Sequence, residues 1–225
     1  MRQELSLGTH GQMLSGPAKD SHLIFTVMLA LLMLVWAAPA KTMQTATASV
    51  KSTITELIQV LDSEELKKPD RSEERRREIE HVVRQRVSYE EMAKRSLGAP
   101  WSELNEGERQ EFVGLFVQLL RDAFAGRINE HSDEQVIYIG EQREENFAEV
   151  KTRLTGRKVD TPLDFRLVNQ SGDWFVYDVV IDSASIVSNY HAQFTSIIRD
   201  GSYAGLVTKM KQRALTVKWF EKTAN

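Results

Sequence analysis

Apolar positions recur along this chain with two periods, three to four residues in some stretches and two in others, and the switches between them mark its elements. Val50, Ile54, Leu57, Ile58 and Leu61 recur at helical spacing. Pro69 breaks that pattern, and Ser72 is placed to cap a charge-rich helix whose apolar stripe is Ile79, Val82 and Val83. In that helix Glu73 can meet Arg77, and Arg76 can meet Glu80, one turn apart. Ser88 with Glu91 predicts a capping box for a short helix carrying Met92 and ending near Gly98. Asn105 with Glu108 predicts another, for a helix with a broad apolar face: Phe112, Leu115, Phe116, Leu119, Leu120, Ala123, Phe124 and Ile128.

After Ser132 the period becomes two. Val136 to Ile139 forms one predicted strand. In Phe147 to Leu154, Ala148, Val150, Thr152 and Leu154 share a side, with Glu149, Lys151 and Arg153 on the other. Leu163, Phe165 and Leu167 face together in the next strand, and Asn169 to Asp173 is a hairpin turn. Trp174 to Ile181 is apolar on both faces except at Asp178, so this strand is expected to be central and covered on both sides. Helical spacing returns with Ile186, Tyr190, Phe194, Ile197 and Ile198, closed by Gly201. A last helix carries Leu206, Val207 and Met210, with Leu215 and Trp219 near its end. Helices, then four strands, then helices imply an α+β fold with an antiparallel sheet.

The N-terminus is of another kind. Leu23 to Trp36 is apolar except for Thr26 and is followed by Ala37-Ala38-Pro39-Ala40. The run is shorter than the ~20 residues that span a bilayer. With small residues at 38 and 40 it fits a secretory signal peptide over 1–40, cleaved after Ala40. Lys41 to Ser49, rich in Thr, Ala and Ser, reads as a flexible lead-in, and the folded domain is expected over 50–220.

Composition removes several kinds of chemistry. With 29 basic and 32 acidic side chains there is no basic excess and no sign of a nucleic-acid partner. With no cysteine there is no disulfide, thiolate nucleophile or Cys-ligated metal. Neither a Gly-x-Ser-x-Gly elbow nor a glycine-rich phosphate loop is present. His81, His131 and His191 have no histidine one turn away, so no metal is expected. Asp178 stands out as a carboxylate in an apolar strand, where it must be hydrogen-bonded or serve as an acid or base.

The stretch Trp174-Phe175-Val176-Tyr177-Asp178-Val179-Val180-Ile181-Asp182 continues through Ser185-Ile186-Val187, Asn189-Tyr190 and Gln193-Phe194 to Ile197 and Gly201. It resembles the signature of the MlaC, or toluene-tolerance, family. Met92-Ala93, Leu97-Gly98, Trp101, Arg109, Phe112 and Phe116 are similar to that family's other block, so the resemblance covers roughly residues 45 to 215. It departs at His191, where an arginine is the expected residue.

The resemblance implies a periplasmic, monomeric phospholipid carrier that is not an enzyme and needs no cofactor. Its partners would be an outer-membrane lipoprotein–porin complex and an inner-membrane ABC transporter with an MCE-domain subunit. Its role would be to maintain outer-membrane lipid asymmetry. The implied fold is a curved four-stranded antiparallel sheet wrapped by amphipathic helices, with an internal apolar cavity. In such a carrier Phe112, Phe116, Leu119 and Leu120 are expected to form one cavity wall. Val150, Phe165, Val176 and Tyr177 would form another, with Phe194, Ile197 and Leu206 closing it. The alternatives are a carrier of another lipid such as hopanoid, a protein-interaction module with a filled core, and an enzyme using Asp178.

Overall fold

A computed structural model of the chain describes residues 44–124, 134–157 and 160–213. The expected signal peptide and its expected cleavage point, His131, Ile128, Leu215 and Trp219 lie outside the described residues.

Helix α1 (Ala46–Asp62) begins inside the stretch expected to be a flexible lead-in. Thr45 caps it, its hydroxyl accepting from the Ala48 N–H at 3.1 Å, and Ala46 and Ser49 are buried. Small residues are used here because the helix lies close against the sheet, not because the chain is loose. A 3-10 turn (Pro69–Arg71) leads into α2 (Ser72–Arg86), which starts at Ser72 without a side-chain cap. Arg76 reaches both Glu73 at 2.6 Å and Glu80 at 2.7 Å, while Arg77 turns to the Glu73 carbonyl.

Ser88 does precede α3 (Tyr89–Leu97), but the expected capping box does not form. The Ser88 hydroxyl accepts from Gln170 and Glu91 pairs with Arg95 at 2.7 Å, so tertiary partners displace the local one. A 3-10 turn (Ala99–Glu103) carries Trp101 into the core and leads to α4 (Glu106–Phe124). There the capping box is complete: the Asn105 N–H donates to Glu108 at 2.9 Å and the Glu108 N–H donates to Asn105 at 3.0 Å.

Strands β1 (Gln135–Glu144), β2 (Phe147–Thr155), β3 (Asp160–Gln170), β4 (Asp173–Ile181) and β5 (Ala184–Ser185) form one antiparallel sheet in sequence order. The sheet has five strands and not four. Asp182 and Ser183, at φ 47° and 67°, reverse the chain so that Ala184 pairs with Ile181. This hairpin carries neither the glycine nor the asparagine that usually announces one. The β3–β4 hairpin turns at Ser171-Gly172, with φ 55° and 94°.

β4 is covered on both faces, as expected, but it is not central. β3 lies along one edge; the other edge meets the two-residue β5 and a single bridge from Val87 to Val176. Helices α5 (Ile186–Asp200) and α6 (Tyr203–Lys211) complete the described chain.

Candidate apolar site on the sheet

Strand register decides which side chains share the face under α1. Ala148, Leu167 and Val176 form one row across the strands, and Val150 and Phe165 continue into Val179 in the next. β4 changes faces between these rows. Arg166 pairs with Asp178 and Leu167 with Val176, which leaves Tyr177 as an extra residue in a bulge. Trp174 and Val176 therefore lie on the α1 face before the bulge, and Val179 and Ile181 lie on it after. A bulge at Ile139 does the same to β1, placing Val136 and Tyr138 on this face opposite Leu154 and Thr152.

α1 seals one end of the face. Ala46 and Val50 pack with Ala148, Val150, Leu167, Trp174 and Val176, and the Ser49 hydroxyl donates to the Trp174 carbonyl at 3.1 Å. Farther along the strands the cover thins. Leu154, Leu163 and Ile181 are only half-buried and join neither of the two described cores, while Phe165 and Val179 are half-buried at the margin. Ile54 reaches this margin from α1, and Leu57, Ile58 and Leu61 follow it along the helix, also half-buried.

The eleven residues expected to line a cavity do not lie along one surface. Phe112, Phe116, Leu119, Leu120, Phe194 and Leu206 are buried together in the helical core. Phe112 meets Phe194 with ring centroids 5.8 Å apart, and Phe116 meets Tyr190 at 5.2 Å. Phe112, Phe116 and Phe194 have no exposed surface, and their rings touch other rings. Ile197 packs half-buried against the same core. Val150, Phe165 and Val176 belong to the core under α1.

Tyr177 packs half-buried against the helical core, because the bulge turns it away from α1. The Arg95 guanidinium lies 4.3 Å from its ring centre and 5.1 Å from that of Phe147. Phe147 is 39% exposed and meets Tyr177 edge-on at 6.0 Å. Burial raises the Tyr177 phenol above its usual range, opposed by Arg95 and Arg166. Sequence reasoning missed this cluster, since only tertiary packing joins α3, β2 and β4 at that point.

Asp178 is 1% exposed and its oxygens are occupied. Oδ1 accepts from the Val187 N–H at 3.0 Å; Oδ2 accepts from the Ser185 hydroxyl at 2.7 Å and from Arg166 at 3.1 Å. It thus ties the start of α5 to β3 and β4. His191, the departure from the resemblance, lies against Gly98 with its Nδ1 3.3 Å from the Ser96 carbonyl oxygen. Among the described residues no group of acidic or histidine side chains is arranged to hold a metal ion.

The sequence profile described as MlaC protein matches residues 51–212. The chain belongs to the MlaC family. A relative from Haemophilus influenzae, named intermembrane phospholipid transport system binding protein MlaC, is 23% identical over 134 residues. That match takes in 57% of this chain and 63% of the relative's length. A solved structure of a phospholipid-binding protein from Ralstonia solanacearum, in complex with a phospholipid, superposes with a TM-score of 0.67 at 20% identity. The superposition takes in 75% of this chain and 96% of that one. The family match spans both resembling blocks, and the fold expected from them, α+β with an antiparallel sheet, is the fold found.

Proposed function

We propose that this MlaC-family chain is a phospholipid carrier, and that the acyl chains lie against the half-buried end of the sheet, over Leu154, Leu163, Phe165, Val179 and Ile181. One observation carries this reading: these side chains share the α1 face, with Phe165 and Val179 at the margin of the part that α1 seals and Leu154, Leu163 and Ile181 past it. Apolar surface of this kind gains about 0.8 kcal/mol per methylene it covers. A two-chain lipid would thus bind tightly without any reactive or charged residue. The phospholipid in the Ralstonia relative and the transport role in the name of the Haemophilus relative favour the same ligand class.

On this reading the protein works in the periplasm as a monomer, after removal of the leader expected over 1–40. It takes lipid between an outer-membrane lipoprotein–porin complex and an inner-membrane ABC transporter with an MCE-domain subunit, and so supports outer-membrane lipid asymmetry. No catalytic step is required of it. The position of the site departs from the sequence expectation, because the phenylalanines of α4 and α5 are already packed against one another.

The test is solvent extraction of the purified protein followed by lipid mass spectrometry. Stoichiometric phospholipid is the expected result. Hopanoid in its place would change the cargo, and a lipid-free protein with an unaltered fold would overturn the carrier reading.

A further inference from the structure

α4 has two working faces. Phe112, Phe116, Leu119 and Leu120 face the helical core, whereas Val113, Gly114, Val117 and Arg121 recur along another face. That second face borders an open groove of about 620 Å³, flanked on the other side by Arg84 of α2 and Tyr89 at the start of α3. The volume is in the range of small-molecule sites. Gly114 leaves this space open: it is exposed, and a Cβ added there would have no atom within 4 Å. Val113 and Val117 supply half-buried apolar walls beside it.

The polar groups at this groove are donors in excess. Arg84 is exposed and has no hydrogen bond or ion pair among the described residues. Arg121 pairs with Glu80 at 3.1 Å, but Glu80 also serves Arg76 at 2.7 Å. The Tyr89 hydroxyl has no hydrogen-bond partner among the described residues. Arg84, Arg121 and Glu80 all act on that phenol, so the two guanidiniums lie within electrostatic reach of one hydroxyl.

We propose that this groove binds a small amphiphilic anion, its phosphate or carboxylate held by Arg84, Arg121 and Tyr89 and its short apolar part lying over Val113, Gly114 and Val117. An arginine pair with a free hydroxyl matches an oxyanion. Apolar walls around a glycine favour a ligand with some carbon attached over a bare ion. The site lies on α2, α3 and α4, apart from the sheet face assigned above, and does not depend on that assignment.

The experiment is a titration followed by amide NMR, on the full chain as purified with whatever lipid it carries. The probes are hexyl phosphate, hexanoate, inorganic phosphate and hexanol. Hexyl phosphate or hexanoate should move the Gly114 and Val117 signals, and the stronger of the two assigns the head as phosphate or carboxylate. Inorganic phosphate and hexanol should each bind about tenfold more weakly, since each lacks one half of the contact. Arg84→Gln should weaken binding about tenfold. Gly114→Leu should abolish it by filling the space, and Gly114→Ala, with the same helical backbone, reports that the fold tolerates a side chain there. Unmoved Gly114 and Val117 signals would overturn the proposal. So would equal binding by Gly114→Leu, or inorganic phosphate binding as tightly as hexyl phosphate.

Discussion

The carboxylate of Asp178 accepts the backbone N–H of Val187 at 3.0 Å, and this bond fixes where α5 leaves the sheet. With the Ser185 hydroxyl and Arg166 also donating, a charge buried in an apolar strand is satisfied and α5 is held at its first turn. Asp178→Ala removes all three contacts and should lower stability by about 2–4 kcal/mol, tempered by the half-exposure of Arg166. Asp178→Asn can still accept from Val187 and should cost about half as much. Urea denaturation measures both. A folded Asp178→Asn protein should keep its full lipid content, and loss of lipid without loss of stability would reassign this residue to the site.

Gly98 and His191 make a second long-range fit. Gly98 closes α3 at φ 74° and ψ −137°, a conformation that L side chains rarely adopt, and a Cβ there would lie 2.6 Å from the His191 Cε1. Gly98→Ala should therefore cost about 1–3 kcal/mol, mostly as backbone strain. Adding His191→Ala should recover only the smaller, steric part. A double-mutant cycle in thermal or urea unfolding separates the two, and full recovery would place the whole cost in the ring contact.

Core and sheet-face substitutions should part company. Phe116→Ala opens a void in the helical core and should cost about 3–5 kcal/mol of stability. Leu163→Asp lies on the half-buried face and should cost less, while its charge opposes acyl chains lying there. Lipid-to-protein ratio after purification should fall strongly for Leu163→Asp. Equal lipid content in Leu163→Asp and the parent protein would count against the sheet-face site.

Alkaline pH should report on Tyr89. Its phenol is raised above the ordinary tyrosine value, chiefly by burial, against the pull of Arg84 and Arg121. The folded protein therefore holds this proton more tightly than the unfolded chain. The stabilisation is complete below the unfolded value of about 10 and is lost as pH rises through the folded one. Urea midpoints should fall over that window, and Tyr89→Phe should flatten the fall. An identical slope in the variant would mean that other groups carry it.

The chain's own pattern determined a good deal. Apolar spacing located α1, α2, α4, α5, α6 and four strands, the Ser88–Glu91 pattern pointed to α3, and alternation placed Ala148, Val150, Thr152 and Leu154 on one face. The Asn105–Glu108 cap was legible because both its partners are three residues apart. The matching Ser88–Glu91 pattern failed because Gln170 and Arg95 compete for the same side chains. Tertiary structure alone decided what each face meets. The α4 phenylalanines show a periodicity that fits a cavity wall and a filled core equally well, and contact with Phe194 and Tyr190 makes them core. The Tyr177 bulge, which reverses the facing of β4, exists only in its register with β3. Periodicity is a property of one segment, whereas a cavity is the space that several segments leave between them.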